Sequence, residues 1–176
     1  IDGILIENST IKSVRGMNFN SSTNVTVDNC SIDVKKYAAR FGASSSASGV
    51  GTGKVYSIKN STLKSANEEG EAVIVLRGNA DNSILTIENT TIEGTPEITN
   101  DAVGSTVIID NAATAGSTAG LAAALNNKNV SSVELTAGEF TADIYNITAR
   151  ETLTITGTTG TKIAFSNLQF RPSQFS

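Results

Sequence analysis

Apolar and polar positions alternate along most of this chain, and the alternation is broken at regular places by asparagine. Leu85-Thr-Ile-Glu-Asn-Thr-Thr-Ile92 shows the figure: apolar, polar, apolar, polar, Asn, two small hydroxyl residues, apolar. It appears again at Ile4–Ile11, Val25–Ile32 and Tyr56–Leu63, and Val107-Ile-Ile-Asp-Asn111 repeats its first half. A period of two is the mark of a half-buried strand, so each figure predicts a strand, a sharp corner at Asn and a second short strand. Ala72-Val-Ile-Val-Leu76 is nearly continuous in apolar residues and predicts a strand covered on both faces. Tyr37–Phe41 also alternates well enough for a strand, whereas Met17–Asn24 reads as a polar connection carrying Phe19.

The rhythm stops at 114–129. There an alanine-rich stretch follows Ser117 and Thr118, either of which is a suitable N-cap. Leu121, Ala124 and Leu125 fall on one face, and Asn126 or Asn127 is available to end the helix. A helix this short has to lie against something apolar to persist. Strands are expected again at Ser132–Thr136, Asp143–Ile147, Thr152–Thr156, Lys162–Phe165 and Leu168–Phe170, and Gly42–Gly53 has the composition of an exposed loop.

The corner residues Asn8, Asn29, Asn60, Asn89 and Asn111 are separated by 21, 31, 29 and 22 residues. A variable period between 20 and about 30 is that of a solenoid with its insertions confined to loops. Each coil would give short strands to parallel sheets, and no coil could bury its own apolar face. Asn suits the corner because its amide can bond the equivalent amide one coil away, at a spacing of about 4.8 Å. It also tolerates left-handed backbone geometry. The competing reading of the Asn-Ser-Thr clusters is a set of ordinary hairpin turns, but the immediate return to an apolar position leaves little room for them.

These repeats resemble the right-handed parallel β-helix of the pectin/pectate-lyase-like superfamily, and are closest to its non-catalytic, tandemly arranged bacterial surface proteins and adhesins. The resemblance implies an all-β chain, a solenoid of about seven coils with one short α-helix acting as a cap or an insertion between units. It divides the chain into coils over 1–113, a capping helix over 114–129, and the opening coils of a following unit over 130–176. Cap and opening strand here follow the coils rather than precede them. The end of the sequence would run naturally into Ile1-Asp-Gly-Ile, with 27 residues from Gly157 across that seam to Asn8. The expectation is therefore one period of a polymer, about 35 Å long at ~4.8 Å per coil, stacked end to end with copies of itself. A piece spanning two unlike domains is the alternative. Ile1 in first position is expected of a processed or excised piece.

Composition narrows the chemistry. A net charge of −4 argues against nucleic acid and against an anionic membrane surface. No apolar run reaches the ~20 residues of a membrane span. The chain has no His, which removes imidazole acid–base chemistry and His-based metal sites, and Cys30 lacks an activating neighbour in sequence. No catalytic residues, cofactor or metal ligands are assigned. Pectate lyases, which this fold resembles, use clustered acids around calcium with an Arg base. Here Arg15, Arg40, Arg77, Arg150 and Arg171 are scattered.

Glu7, Asp28, Lys59, Glu88 and Asp110 share the position before the corner Asn and should form an outward, solvated column. Glu68, Glu69 and Glu71 form a second acidic cluster, short of the oxygens that calcium needs. Tyr37, Phe41, Phe140 and Tyr145 are candidates to line a sugar-binding surface, with the core as the ordinary place for them. The functional expectation is a structural or adhesive module of an extracellular bacterial surface protein or fibre, not an enzyme. The alternative is a carbohydrate-binding or polysaccharide-lyase-like fragment.

Overall fold

A computed structural model describes residues 1–43, 54–141 and 152–164. The strands expected at Asp143–Ile147 and Leu168–Phe170, the body of the 42–53 loop and Tyr145 lie outside those residues. Within them the chain is dominated by parallel β-sheet with one α-helix.

The first hundred residues rise in four tiers, each giving one strand to each of three sheets. The tiers are β1 Asp2–Glu7, β2 Thr10–Ser13 and β3 Met17–Phe19; then β4 Thr23–Asp28, β5 Ser31–Val34 and β6 Ala39–Phe41. Above these come β7 Val55–Lys59, β8 Thr62–Ser65 and β9 Ile74–Leu76, and finally β10 Ile84–Glu88, β11 Thr91–Glu93 and β12 Ile98–Asn100. Like strands pair in parallel from tier to tier, in register: Ile6 with Val27, Val27 with Ile58, Ile58 with Ile87. The period-two pattern therefore becomes vertical columns of buried side chains. Val25, Val27, Ile32, Tyr56, Ile58, Leu63, Leu85 and Ile87 form one core. Phe19, Phe41 and Tyr56 stack through it, with ring centroids 5.3 and 4.3 Å apart. Met17–Phe19 is thus a strand, not a polar connection: Met17 and Phe19 are its two buried positions. Ile74–Leu76 is buried on both faces because Tyr37 and Ala72 cover Val75 from outside.

The parallel order ends at β13, Thr106–Ile109. It pairs in parallel with β10, but the chain then doubles back at Asp110-Asn111, and β14, Ala112–Ala115, runs antiparallel beside it. From β14 onward the strands β15 Ser132–Leu135 and β17 Thr154–Gly157 follow the new direction. The expectation of unbroken parallel pairing fails at this hairpin.

The buried face changes there too. Register aligns Val107 and Ile109 with the inward Leu85 and Ile87. Yet Ile108 is the buried residue, 2% exposed, while Ile109 is 37% exposed. Ile108, Ala113, Ala115, Val133 and Leu135 build a second core on the opposite side of the same sheet, and Ile84 packs onto it from the fourth tier. One eight-stranded sheet thus serves two cores, one on each face.

Helix α1, Thr118–Asn126, covers the start of the second core. Ser117 is the N-cap and accepts from Gly120 N at 3.1 Å. Leu121, Ala124 and Leu125 point into the core, as the helical spacing requires. Gly120 lies flush against β13: a Cβ there would sit 1.7 Å from Thr106 Oγ1. Small residues are what let the helix approach the sheet. Beyond β15, the strand β16 Gly138–Phe140 pairs with β18 Thr161–Ile163 in a small parallel sheet.

Candidate functional site

Four of the five corner asparagines come together on one edge of the stack. Asn8, Asn29, Asn60 and Asn89 all have positive φ, between 46 and 52°. A left-handed residue is strained for most side chains but accessible to Asn, and it lets the chain turn from one sheet to the next within two residues. Their amides link in part: Asn29 Nδ2 donates to Asn8 Oδ1 at 2.7 Å and Asn89 Nδ2 to Asn60 Oδ1 at 2.9 Å. Between these pairs the row is broken, because Asn60 Nδ2 donates instead to Asp28 Oδ1 at 2.9 Å. All four asparagines are exposed, so the amide row runs along the outside of the corner rather than inside it.

Asn111 does not continue the row. It sits in the β13–β14 hairpin, where its carbonyl accepts from Ser131 N at 2.8 Å. The left-handed residue of that turn is Asp110, and its Oδ1 accepts from Asn89 N at 2.7 Å. The signal that misplaced Asn111 was the match of Val107-Ile-Ile-Asp-Asn111 to the other figures, without the hydroxyl residue that follows Asn in three of those four.

That hydroxyl residue carries the interior of the corner, a role the sequence pattern contained but did not explain. Ser9, Ser61 and Thr90, each directly after an Asn, turn their hydroxyls back to the carbonyl two residues earlier, at 2.7–2.9 Å. Ser61 Oγ also accepts from Cys30 N at 3.0 Å, and Thr90 Oγ1 from Ser61 N at 3.3 Å. Cys30 takes the same place, its thiol 3.3 Å from Asp28 O. Each such bond is worth about 0.5–1.5 kcal/mol net and satisfies a backbone group that the corner encloses. Cys30 is buried and spent on this column, which leaves it no exposure as a nucleophile.

The charged positions sort into cross-strand pairs. Glu7, Asp28, Lys59 and Glu88 are in register on the outer face, and Lys59 Nζ lies 3.4 Å from Asp28 Oδ2. The hydrogen bond from Asn60, with Lys59 beside it, holds the Asp28 carboxyl below its ordinary value. On the second sheet Lys12, Asp33, Lys64 and Glu93 alternate in sign from tier to tier, with Lys64 3.8 Å from Glu93.

The acidic run is likewise neutralised, by three bases of the tier below it and by Arg77 of its own tier. Glu68 pairs with Lys35 at 3.6 Å, Glu69 with Lys36, and Glu71 with Arg40 and Arg77. Lys36 holds the Glu69 carboxyl below its usual range. Arg40 also stacks on the Tyr37 ring, 3.7 Å from its centroid. A cluster whose acids each face a base is a clamp between tiers rather than a calcium cage. No group of three or more His, Cys, Asp or Glu residues is placed to hold a metal ion among the described residues.

The three aromatic candidates among the described residues are not a surface. Tyr37, Phe41 and Phe140 are all buried. Shallow clefts open on the outside of the asparagine corner. One, of about 370 Å³, lies between Lys59, Asn60, Glu88, Asn89, Asp110, Asn111 and Asn129. Another, of about 310 Å³, runs along Asn8, Asn29 and Asn60. No protein-family model, curated protein or solved structure matches this chain. No helix among the described residues is long and apolar enough to cross a membrane.

Proposed function

We propose that this chain is a structural and adhesive module of an extracellular bacterial surface protein or fibre, one period of a tandem or head-to-tail stacked right-handed parallel β-helix. The observation that carries the reading is the lower end of the stack. Strands β1, β2 and β3 are edge strands of three different sheets. Ile4, Ile6 and Ile11 are only partly buried there, whereas Val25, Val27 and Ile32 one tier higher are fully enclosed. Unpaired edges over an uncovered apolar layer invite another strand layer of the same kind.

The other end of the eight-stranded sheet is β17, where Ile155 is 37% exposed, and the edge of the small sheet beside it is β18, where Ile163 is 53% exposed. Because β17 runs opposite to β1 and buries the other face of the sheet, stacking β1 of one unit on β17 of another takes a half-turn about the axis; with β2 on β18 it brings Ile4 to Ile155 and Ile11 to Ile163. Both ends have the same order of strand, short corner and strand, so the columns continue through the joint. Load along the axis then passes through backbone pairing, parallel except at the β13–β14 hairpin, and through the apolar columns.

Light scattering across a concentration series, with electron microscopy of the intact assembly, tests this. Linear particles that shorten on Ile155→Lys or Ile4→Lys are expected; a compact monomer at millimolar concentration overturns the stacking. The cleft lined by Asn60, Asn89, Asp110 and Asn129 favours a second reading, carbohydrate binding along the corner. Binding on a glycan array that Asn89→Ala and Asn129→Ala abolish would support it. Release of unsaturated oligosaccharides from polygalacturonate would replace the structural reading with a lyase.

A further inference from the structure

Inside the corner that leads into the eight-stranded sheet, two polar side chains are enclosed without partners among the described residues. The β7–β10 register sets Val55 beside Ile84, so Lys54 and Ser83 are neighbours one residue earlier, joined by Ile84 N donating to Lys54 O at 2.8 Å. Both point inward, two residues before the buried Tyr56 and Leu85. Lys54 is 1% exposed and Ser83 0%. Among the described residues Lys54 Nζ and Ser83 Oγ make no hydrogen bond, and neither does the buried Nδ2 of Asn79, on the turn before Ser83.

The described polar groups next to them in the tiers are committed elsewhere. Thr23, beside Lys54 in the tier below, donates to Asp2 Oδ1 at 2.7 Å, and the Tyr56 hydroxyl faces Ser22 O at 3.5 Å. Ser105, beyond Ser83, is 2.8 Å from both Asn100 Oδ1 and Ala102 O. The groups left over are an ammonium, a hydroxyl and an amide N–H, a surplus of donors that make no hydrogen bond among the described residues. An enclosed ammonium is costly unless it is paired or gives up its proton, and burial does push the Lys54 amine down. A water molecule would satisfy hydrogen bonds but leave the charge uncompensated. A small anion satisfies both.

We infer that Lys54 Nζ and Ser83 Oγ form an internal binding site for one small monovalent anion of the halide class. Its place between the third and fourth tiers makes it a fastener of the stack, independent of what the outer surface binds. Bound to the folded chain alone, the ion stabilises by mass action.

The test is thermal unfolding at fixed pH and ionic strength, exchanging gluconate for chloride or bromide. A saturable rise in Tm with either halide is expected in the wild type. Lys54→Met should abolish the rise, and Ser83→Ala should shift its half-saturation to several-fold higher halide. The same Tm in all three anions, or an unchanged halide response in Lys54→Met, overturns the site and leaves a neutral amine in its place. Should Lys54→Met fail to fold, the wild-type anion series and Ser83→Ala still decide the matter, as does an anomalous bromide peak next to Lys54 in a crystal.

Discussion

Replacing Ile108 and Ile109 one at a time by alanine separates two descriptions of the fifth strand in the main sheet. If the first core continued through β13, Ile109, in register with the buried Ile87, would be the costly position. In the structure Ile108 is 2% exposed within the second core and Ile109 is 37% exposed. Removing three carbons from Ile108 forfeits about 2.4 kcal/mol of transfer free energy at ~0.8 kcal/mol per buried methylene. The enclosed cavity brings the cost to about 2.5–4 kcal/mol. At Ile109 roughly two-thirds of the transfer contribution applies, and an open site leaves no enclosed cavity, for about 1.5 kcal/mol. Both changes lose the same strand propensity, so the difference of about 1–2.5 kcal/mol reports burial alone. The chain contains no Trp, and urea unfolding followed by far-ultraviolet circular dichroism is the suitable assay. The readout is a shift in midpoint at unchanged slope. An Ile109→Ala variant that loses as much as Ile108→Ala, or more, refutes the change of face.

Three further outcomes are expected. Asn89→Ala should cost about 1–2 kcal/mol, mostly for placing Ala in left-handed geometry, and Asn89→Gly should recover most of it. Equal losses in urea unfolding would assign the effect to the amide row instead. Asp28 should titrate below the ordinary carboxylate range by NMR, and Asn60→Ala should move it back up. Its folded value is depressed, so its contribution to stability is present above about pH 4 and disappears as pH falls through the folded value. A titration unmoved by Asn60→Ala would remove that hydrogen bond as the cause. Gly120→Ala should lower Tm even though Ala is about 1 kcal/mol the better helix former, because a Cβ meets Thr106; a rise in Tm would mean that helix and sheet are not in contact there.

Local spacing in the sequence is sufficient for much of this architecture. Alternation identifies β1, β4, β7 and β10 because a residue two places on always returns to the same face of a strand. The left-handed corners at Asn8, Asn29, Asn60 and Asn89 follow from side-chain chemistry within the figure itself, and α1 follows from its cap and apolar spacing. Three things depended on which chain segments become neighbours.

The short strands β3 and β12 hold their places through pairing with other tiers, which their own three residues do not encode. The roles of Glu68, Glu69 and Glu71 were decided by Lys35, Lys36 and Arg40 arriving from the tier below, 31–33 residues away in sequence. The change of face at β13 was the least legible. Thr106-Val-Ile-Ile109 carries apolar side chains on both sides of the strand, so alternation cannot say which side is buried. Helix α1 settles it by laying Leu121 and Leu125 on the side of Ile108. A period of two determines that a strand has two faces; only the partner that arrives determines which one becomes a core.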